Sequence, residues 1–150
     1  MANTSYAIKD GIGTLNLPNT SNAISLGITT LGAGQITFAK TDNVSENNVS
    51  ADGAVMTSAI AAPNGTIAIE MQQTSSVHKS LLSWYTYLET AFNSGDISDW
   101  TAASLYWVNT VDGTQHTCTG ISPQKVPDKV YGKTGAMVTW TLMAQSIVSE

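Results

Sequence analysis

Apolar and polar residues alternate along most of this chain, and alternation at period two marks strands with one buried face. Near the end, Val138, Trp140, Leu142 and Ala144 fall on one face and Met137, Thr139, Thr141 and Met143 on the other, which predicts a strand over 136–144. Before it, 104–110 and 115–121 read as two strands joined at Val111-Asp112-Gly113-Thr114. Asp-Gly is a strong hairpin signal, because glycine enters the positive-φ corner of a tight turn without a Cβ clash. Short strands are predicted over 12–17, 23–29 and 35–40, with Ile24, Leu26 and Ile28 on one side of the second. Turn clusters at Pro18-Asn19-Thr20-Ser21-Asn22 and Gly32-Ala33-Gly34 divide them. Residues 55–72 read as a hairpin about Ala62-Pro63-Asn64-Gly65, with Ile67, Ile69 and Met71 on one face of its second strand.

One segment changes period. Val77, Leu81, Trp84, Leu88 and Phe92 are spaced three or four apart, which makes an apolar stripe and predicts a helix over 76–93. Ser75 or Ser76 is its N-cap and Asn93-Ser94-Gly95 its stop. His78 lies off the stripe and reads as an exposed first-turn residue. Leu82 and Tyr85 widen the apolar surface, either toward the core or toward a neighbouring subunit. A single helix among strands must cover an open face of a sheet or barrel. The expected fold is therefore mainly β with one α-helix, a β-sandwich or partly open β-barrel, in one domain of 150 residues.

Two segments lie outside the periodic pattern. Residues 40–53 form a long irregular stretch with two apolar side chains, Val44 and Val49, and three acidic ones, Asp42, Glu46 and Asp52. A loop of that length in a compact domain is either functional or a loose surface segment. Residues 125–133 form a Pro-containing arm with Lys125, Lys129 and Lys133. The N-terminus reads as a further exposed arm.

Composition narrows the function. Charged residues make up only 11%, against about 25% in an average domain, and there is no arginine. Ser, Thr, Asn and Gln carry solubility, a neutral polar surface that resists association weakly and suits self-assembly. A net charge of −5 argues against tight nucleic-acid binding, which needs phosphate neutralisation. No apolar run reaches the length of a membrane span, and Met1 to Tyr6 lacks a signal-peptide pattern, so synthesis in the cytosol is expected. The single Cys118 excludes an intrachain disulfide and reads as a half-buried strand residue.

Catalytic chemistry is not apparent. His78, His116 and Cys118 have no metal-ligand spacing, and no Gly-x-Ser-x-Gly elbow accompanies the serines. Gly11-Ile12-Gly13 and Gly32-Ala33-Gly34 lack the third glycine and following helix of a nucleotide loop. Asp96 and Asp99 read as a solvated turn rather than a carboxylate pair. Asn-x-Ser/Thr at Asn3, Asn19, Asn43, Asn48 and Asn64 reflects composition. Trp84, Trp100, Trp107 and Trp140 fit core or interface roles better than a sugar groove. No catalytic, cofactor or metal residues are assigned, and the chain is not expected to be an enzyme.

The order of motifs in the last two thirds of the chain resembles the tail tube proteins of contractile-tailed bacteriophages. These motifs are the A-D-G-A-V-M-T-S stretch from Ala51, Q-T-S-S-V from Gln73, the D-G turn and T-C-T-G return, K-x-P-D-x-x-Y-G-K from Lys125, and V-T-W-T from Val138. The first forty residues do not align with that pattern. The resemblance implies a structural protein of the virion tail, made in the host bacterial cytoplasm. Hexameric rings would stack into an inner tube, with sheath, tape measure, baseplate and terminator proteins as partners. DNA would pass through the lumen without specific binding. The segment corresponding to 40–53 would reach the neighbouring ring. On that reading the subunit-interface candidates are Lys40, Asp42, Val44, Glu46, Val49, Asp52, Leu82, Tyr85, Lys125, Lys129 and Lys133. Alternatives are the tube of a related contractile secretion or bacteriocin machine, and a monomeric carbohydrate-binding β-sandwich.

Overall fold

The computed structural model describes residues 11–17, 24–26 and 35–150. The predicted N-terminal arm, the two turn clusters before residue 35, and most of the strand predicted over 23–29 lie outside the described residues. Among the described residues, nine strands and one helix follow in the order β1 (Gly11–Asn16), β2 (Ile24–Leu26), β3 (Ile36–Lys40), β4 (Ser45–Val49), β5 (Val55–Ala59), β6 (Gly65–Gln72), α1 (Ser76–Asn93), β7 (Ala103–Asn109), β8 (Gln115–Lys125) and β9 (Met137–Ser149). Seven strands form one antiparallel sheet in the order β2-β1-β7-β8-β9-β6-β3, and β4 and β5 form a separate pair.

β9 is the axis of this sheet. It pairs with β6 from Gly65↔Ala144 to Gln72↔Met137, and with β8 from His116↔Ser149 to Lys125↔Thr141. Its alternation places Val138, Trp140, Leu142 and Ala144 inside, opposite Met71, Ile69, Ile67 and Gly65 of β6. Across β8 the inward parity shifts. Cys118 and Ile121, three apart, both face the core and pair with Ile147 and Ala144. Gly120 between them stands at φ 65°, a corner that a residue with a Cβ occupies only with strain.

The sheet curls back on itself. On a flat sheet, three strand spacings would hold β3 about 14 Å from β8. Yet the Phe38 ring of β3 stacks on His116 of β8 with centroids 4.4 Å apart and planes at 18°. Lys40 Nζ likewise donates to the Ile147 carbonyl of β9 at 2.9 Å. α1 packs against β2 at one end of the strand order and against β6 near the other, so it covers the opening that the curl leaves. Val77, Leu81, Trp84 and Leu88 are buried beneath it. Ser75 Oγ caps the helix by accepting from Val77 N at 3.2 Å, and Gly95 at φ 90° ends it.

The mainly β, one-helix, partly open barrel expected from the pattern is the observed architecture. Several local expectations are corrected. Residues 40–53 are not an irregular loop, because β4 runs through them and pairs with β5. The predicted 55–72 hairpin therefore does not exist. β5 turns back onto β4, β6 pairs instead with β9 and β3, and 60–64 is a connector. Its Pro63 carbonyl accepts from Ile147 N at 2.9 Å. Lys125 ends β8 rather than opening the arm, and β9 continues five residues past the predicted end. Phe92, expected on the buried stripe, is exposed and rests against Trp100 with ring centroids 5.8 Å apart.

Gly65 shows how tightly β3, β6 and β9 meet. A Cβ there would run into the Ala39 carbonyl oxygen and Ile147 Cδ1, one a backbone atom and the other core. Gly65→Val is expected to lower stability by about 1–3 kcal/mol through overpacking, read as a lower urea midpoint at unchanged slope.

Candidate assembly surfaces

The β4–β5 hairpin departs most from an ordinary folded surface. Every residue of both strands is exposed, so neither face is covered by the rest of the chain. An isolated two-stranded hairpin is marginal in water. Register assigns its faces: Val49 pairs with Val55 and Asn47 with Thr57, while Glu46 pairs with Ser58 and Asn48 with Met56. Val44, Val49, Val55, Met56 and Ile60 are all exposed apolar side chains. Local bonds hold the shape. Thr57 Oγ1 donates to Asn47 Oδ1 at 2.7 Å, and Ile60 N donates to Val44 O at 2.9 Å.

The turn rests on Asp52. Its carboxylate accepts from Ser50 Oγ and from Ala54 N, and Gly53 takes φ 89°. The Ser50 hydroxyl, followed by the Ala54 N–H, holds this carboxyl below the usual carboxylate range. Asp52→Ala is expected to speed amide hydrogen exchange across 45–59 and to leave the global melting temperature unchanged, because the hairpin adds nothing to the core.

The other interface candidates divide into four groups. Asp42, Val44, Glu46 and Val49 are exposed on or beside β4. Lys40 is already engaged, donating to the Pro63 carbonyl at 3.3 Å and the Ile147 carbonyl at 2.9 Å. Lys125, Lys129 and Lys133 are exposed at the end of β8 and along the arm that follows. Lys129 Nζ stands 5.4 Å from the Tyr131 ring centre, and Val130 and Tyr131 are among the exposed apolar residues. Leu82 and Tyr85 are partly buried and pack against the core.

The sequence reading missed Val55, Met56 and Ile60 as surface residues. The signal was present in Asp52-Gly53, the same dipeptide that marked the β7–β8 turn.

Two buried groups were misplaced by sequence reasoning. His78 is 2% exposed, not a solvated first-turn residue. Its Nδ1 accepts from Trp140 Nε1 at 2.9 Å, which puts the neutral imidazole's proton on Nε2. The helix buries a wider face than its stripe, and His78, Leu82 and Tyr85 recur at i, i+4 and i+7 along it. Burial, with the Lys129 ammonium adding to it, pushes the His78 pKa down. Cys118 is fully buried rather than half-buried. Desolvation raises its pKa to about 11, so little thiolate exists at neutral pH.

Other side chains have structural partners. Asp96 accepts from Ser98 N and Oγ, while Asp99 accepts from Tyr87 OH at 2.6 Å. Trp84, Trp107 and Trp140 are buried in the core, which leaves none of the three for a sugar groove. Among the described residues, no three His, Cys, Asp or Glu side chains are grouped to hold a metal ion.

The sequence profile of the family described as bacteriophage PhiTE tail tube protein matches residues 4–149. No curated protein matches the chain. Solved structures share its fold at low identity. The sheath/tube terminator of the extracellular contractile injection system PVC, in its extended state, aligns with TM-score 0.63 at 10% identity, covering 100% of this chain and 99% of that one. The PVC sheath-tube complex aligns with TM-score 0.57 at 11% identity, covering 97% and 91%. The tube-terminating cap of the anti-feeding prophage aligns with TM-score 0.52 at 9% identity, covering 100% and 95%.

Proposed function

Because this chain belongs to the bacteriophage PhiTE tail tube protein family, a family of structural proteins, we propose that it forms hexameric rings that stack into the inner tube of a phage tail. The whole chain acts as one tube domain, and the virion tail is its place of work. The observation that carries this reading is a curled sheet that, among the described residues, ends in two edge strands, β2 and β3, beside a hairpin whose two strands are exposed throughout. Unpaired edges invite pairing with another chain, and closing strands into a ring removes them. Joining β2 of one subunit to β3 of the next closes the ring, and the hairpin reaches the ring above.

Conduction of DNA follows from the same surface. The outward side chains of β6 and β9 include Thr66, Glu70, Thr139, Met143 and Gln145, and neither strand carries a lysine. A wall of that composition offers phosphate no cation to bind. Sheath, tape measure, baseplate and terminator proteins are the expected partners of such a tube.

Electron microscopy of the purified protein, with its mass in solution, tests this reading. Hollow tubes or six-membered rings of uniform width are expected, and a monodisperse monomer at high concentration would overturn it. The likeness to PVC and anti-feeding prophage proteins supports a second reading, the tube of a contractile injection machine that carries no genome. Particles purified from the producing cell separate the two, since a phage tail joins a DNA-filled capsid.

A further inference from the structure

The exposed hairpin and the lysine arm sit at opposite ends of the β6–β9 ladder. Gly65, where the chain leaves the hairpin connector, pairs with Ala144, while Gln72 pairs with Met137, where the arm re-enters the sheet. Seven residues of strand separate these points, roughly 24 Å at the usual rise. The two surfaces differ in charge. The hairpin region exposes Asp42, Glu46 and Asp52, and no cation occurs between Lys40 and Lys79. The Lys40 ammonium is directed at the Pro63 and Ile147 carbonyls rather than at these carboxylates. The arm sets Lys125, Lys129 and Lys133 against a single carboxylate, Asp128. Both surfaces also expose apolar groups, Val44, Met56 and Ile60 on the hairpin and Val130 and Tyr131 on the arm.

We propose that the hairpin of one copy docks on the 125–133 arm at the far end of the next copy, through acid-to-lysine pairs around an apolar centre. The separation along the ladder keeps the two surfaces apart within one chain. A contact between different patches of identical chains is heterologous, so it propagates head to tail rather than closing a symmetric pair. It also gives the hairpin the covering that its own chain withholds. The inference rests on the tube reading and specifies which surfaces join consecutive rings.

Charge exchange tests it. Asp42→Lys/Glu46→Lys and Lys129→Glu/Lys133→Glu each place like charges across the contact. Each should raise the protein concentration needed for tube growth by at least about tenfold. The chain carrying all four changes has its complementarity restored at every contact and should recover to within about threefold of wild type. Raising salt from about 0.05 M to about 0.5 M should weaken wild-type assembly. Circular dichroism melts check the fold, and Asp42→Asn/Glu46→Gln with Lys129→Gln/Lys133→Gln replace any reversal that lowers the melting temperature. Tubes from a reversed chain at wild-type concentration would overturn the contact, as would a fourfold variant no better than either reversal. In both cases the tube reading survives, because the wild type still assembles. A wild-type chain that forms neither rings nor tubes would overturn both.

Discussion

Trp140→Ala is expected to remove about 3–5 kcal/mol of stability. That is a large share of the roughly 5–15 kcal/mol that separates a folded domain of this size from its unfolded chain. Trp140 is fully buried on β9, the strand that joins β6 to β8, so the cavity opens in the centre of the sheet. Its indole N–H also satisfies His78 Nδ1 at 2.9 Å. Trp140→Phe separates these two contributions. Most of the apolar volume remains, yet His78 is left with a buried unpaired acceptor, at about 1–3 kcal/mol. Urea titrations of both variants measure this, with the alanine variant expected well below the phenylalanine variant in midpoint. Equal midpoints for wild type and Trp140→Ala would contradict the placement of Trp140 in the core.

Acidification should begin to destabilise the protein below about pH 6.5. His78 is neutral in the fold and its pKa is pushed down by burial and by Lys129; His116, against Phe38, is pushed down by burial. The unfolded chain binds the proton at the ordinary histidine value of about 6.5. The stability that neutral imidazole contributes is therefore complete above that pH and is lost as pH falls toward the folded pKa. The slope per histidine is at most about 1.4 kcal/mol per pH unit. Protonating His78 on Nδ1 also breaks the Trp140 bond. Urea midpoints between about pH 8 and pH 5 should be flat at the alkaline end and fall below about pH 6.5. His78→Asn, which keeps an acceptor near Nδ1 and does not titrate, should remove part of that fall, and His116→Gln the rest. A wild-type midpoint that is level to pH 5 would show that neither histidine is held neutral. The carboxyls of Asp96 and Asp112 are pulled down by hydrogen bonds. Their contribution is present above the ordinary carboxylate pKa near 4 and lost only below it, which keeps the two windows apart.

The regular elements were legible where a one-dimensional pattern has one physical cause. Residues at period two in β6 and β9 must turn a single face inward, and that face is the core. The helix over 76–93 was legible at both ends, because Ser75 and Gly95 act on the backbone beside them. Cap, stripe and Asp-Gly turn are local, and local rules suffice for them. Strand partners are not local. β5 has equal access along the chain to β4 and β6, and its exposed faces show that core burial did not make the choice. β6 joined the eight-residue register of β9 instead, a partner whose sequence lies more than sixty residues away. The burial of His78 was likewise decided in three dimensions. A histidine enters an apolar interior when a donor waits there, and that donor, Trp140, comes from a distant strand. By itself, then, the sequence determined the class of fold, the helix, the inward faces and the acidic and basic character of the two protruding segments. Only the tertiary structure decided that 40–59 stands out as an uncovered hairpin and that the lysine arm lies at the other end of the sheet. Pairing energy depends on which surfaces meet, and a linear pattern does not contain that information.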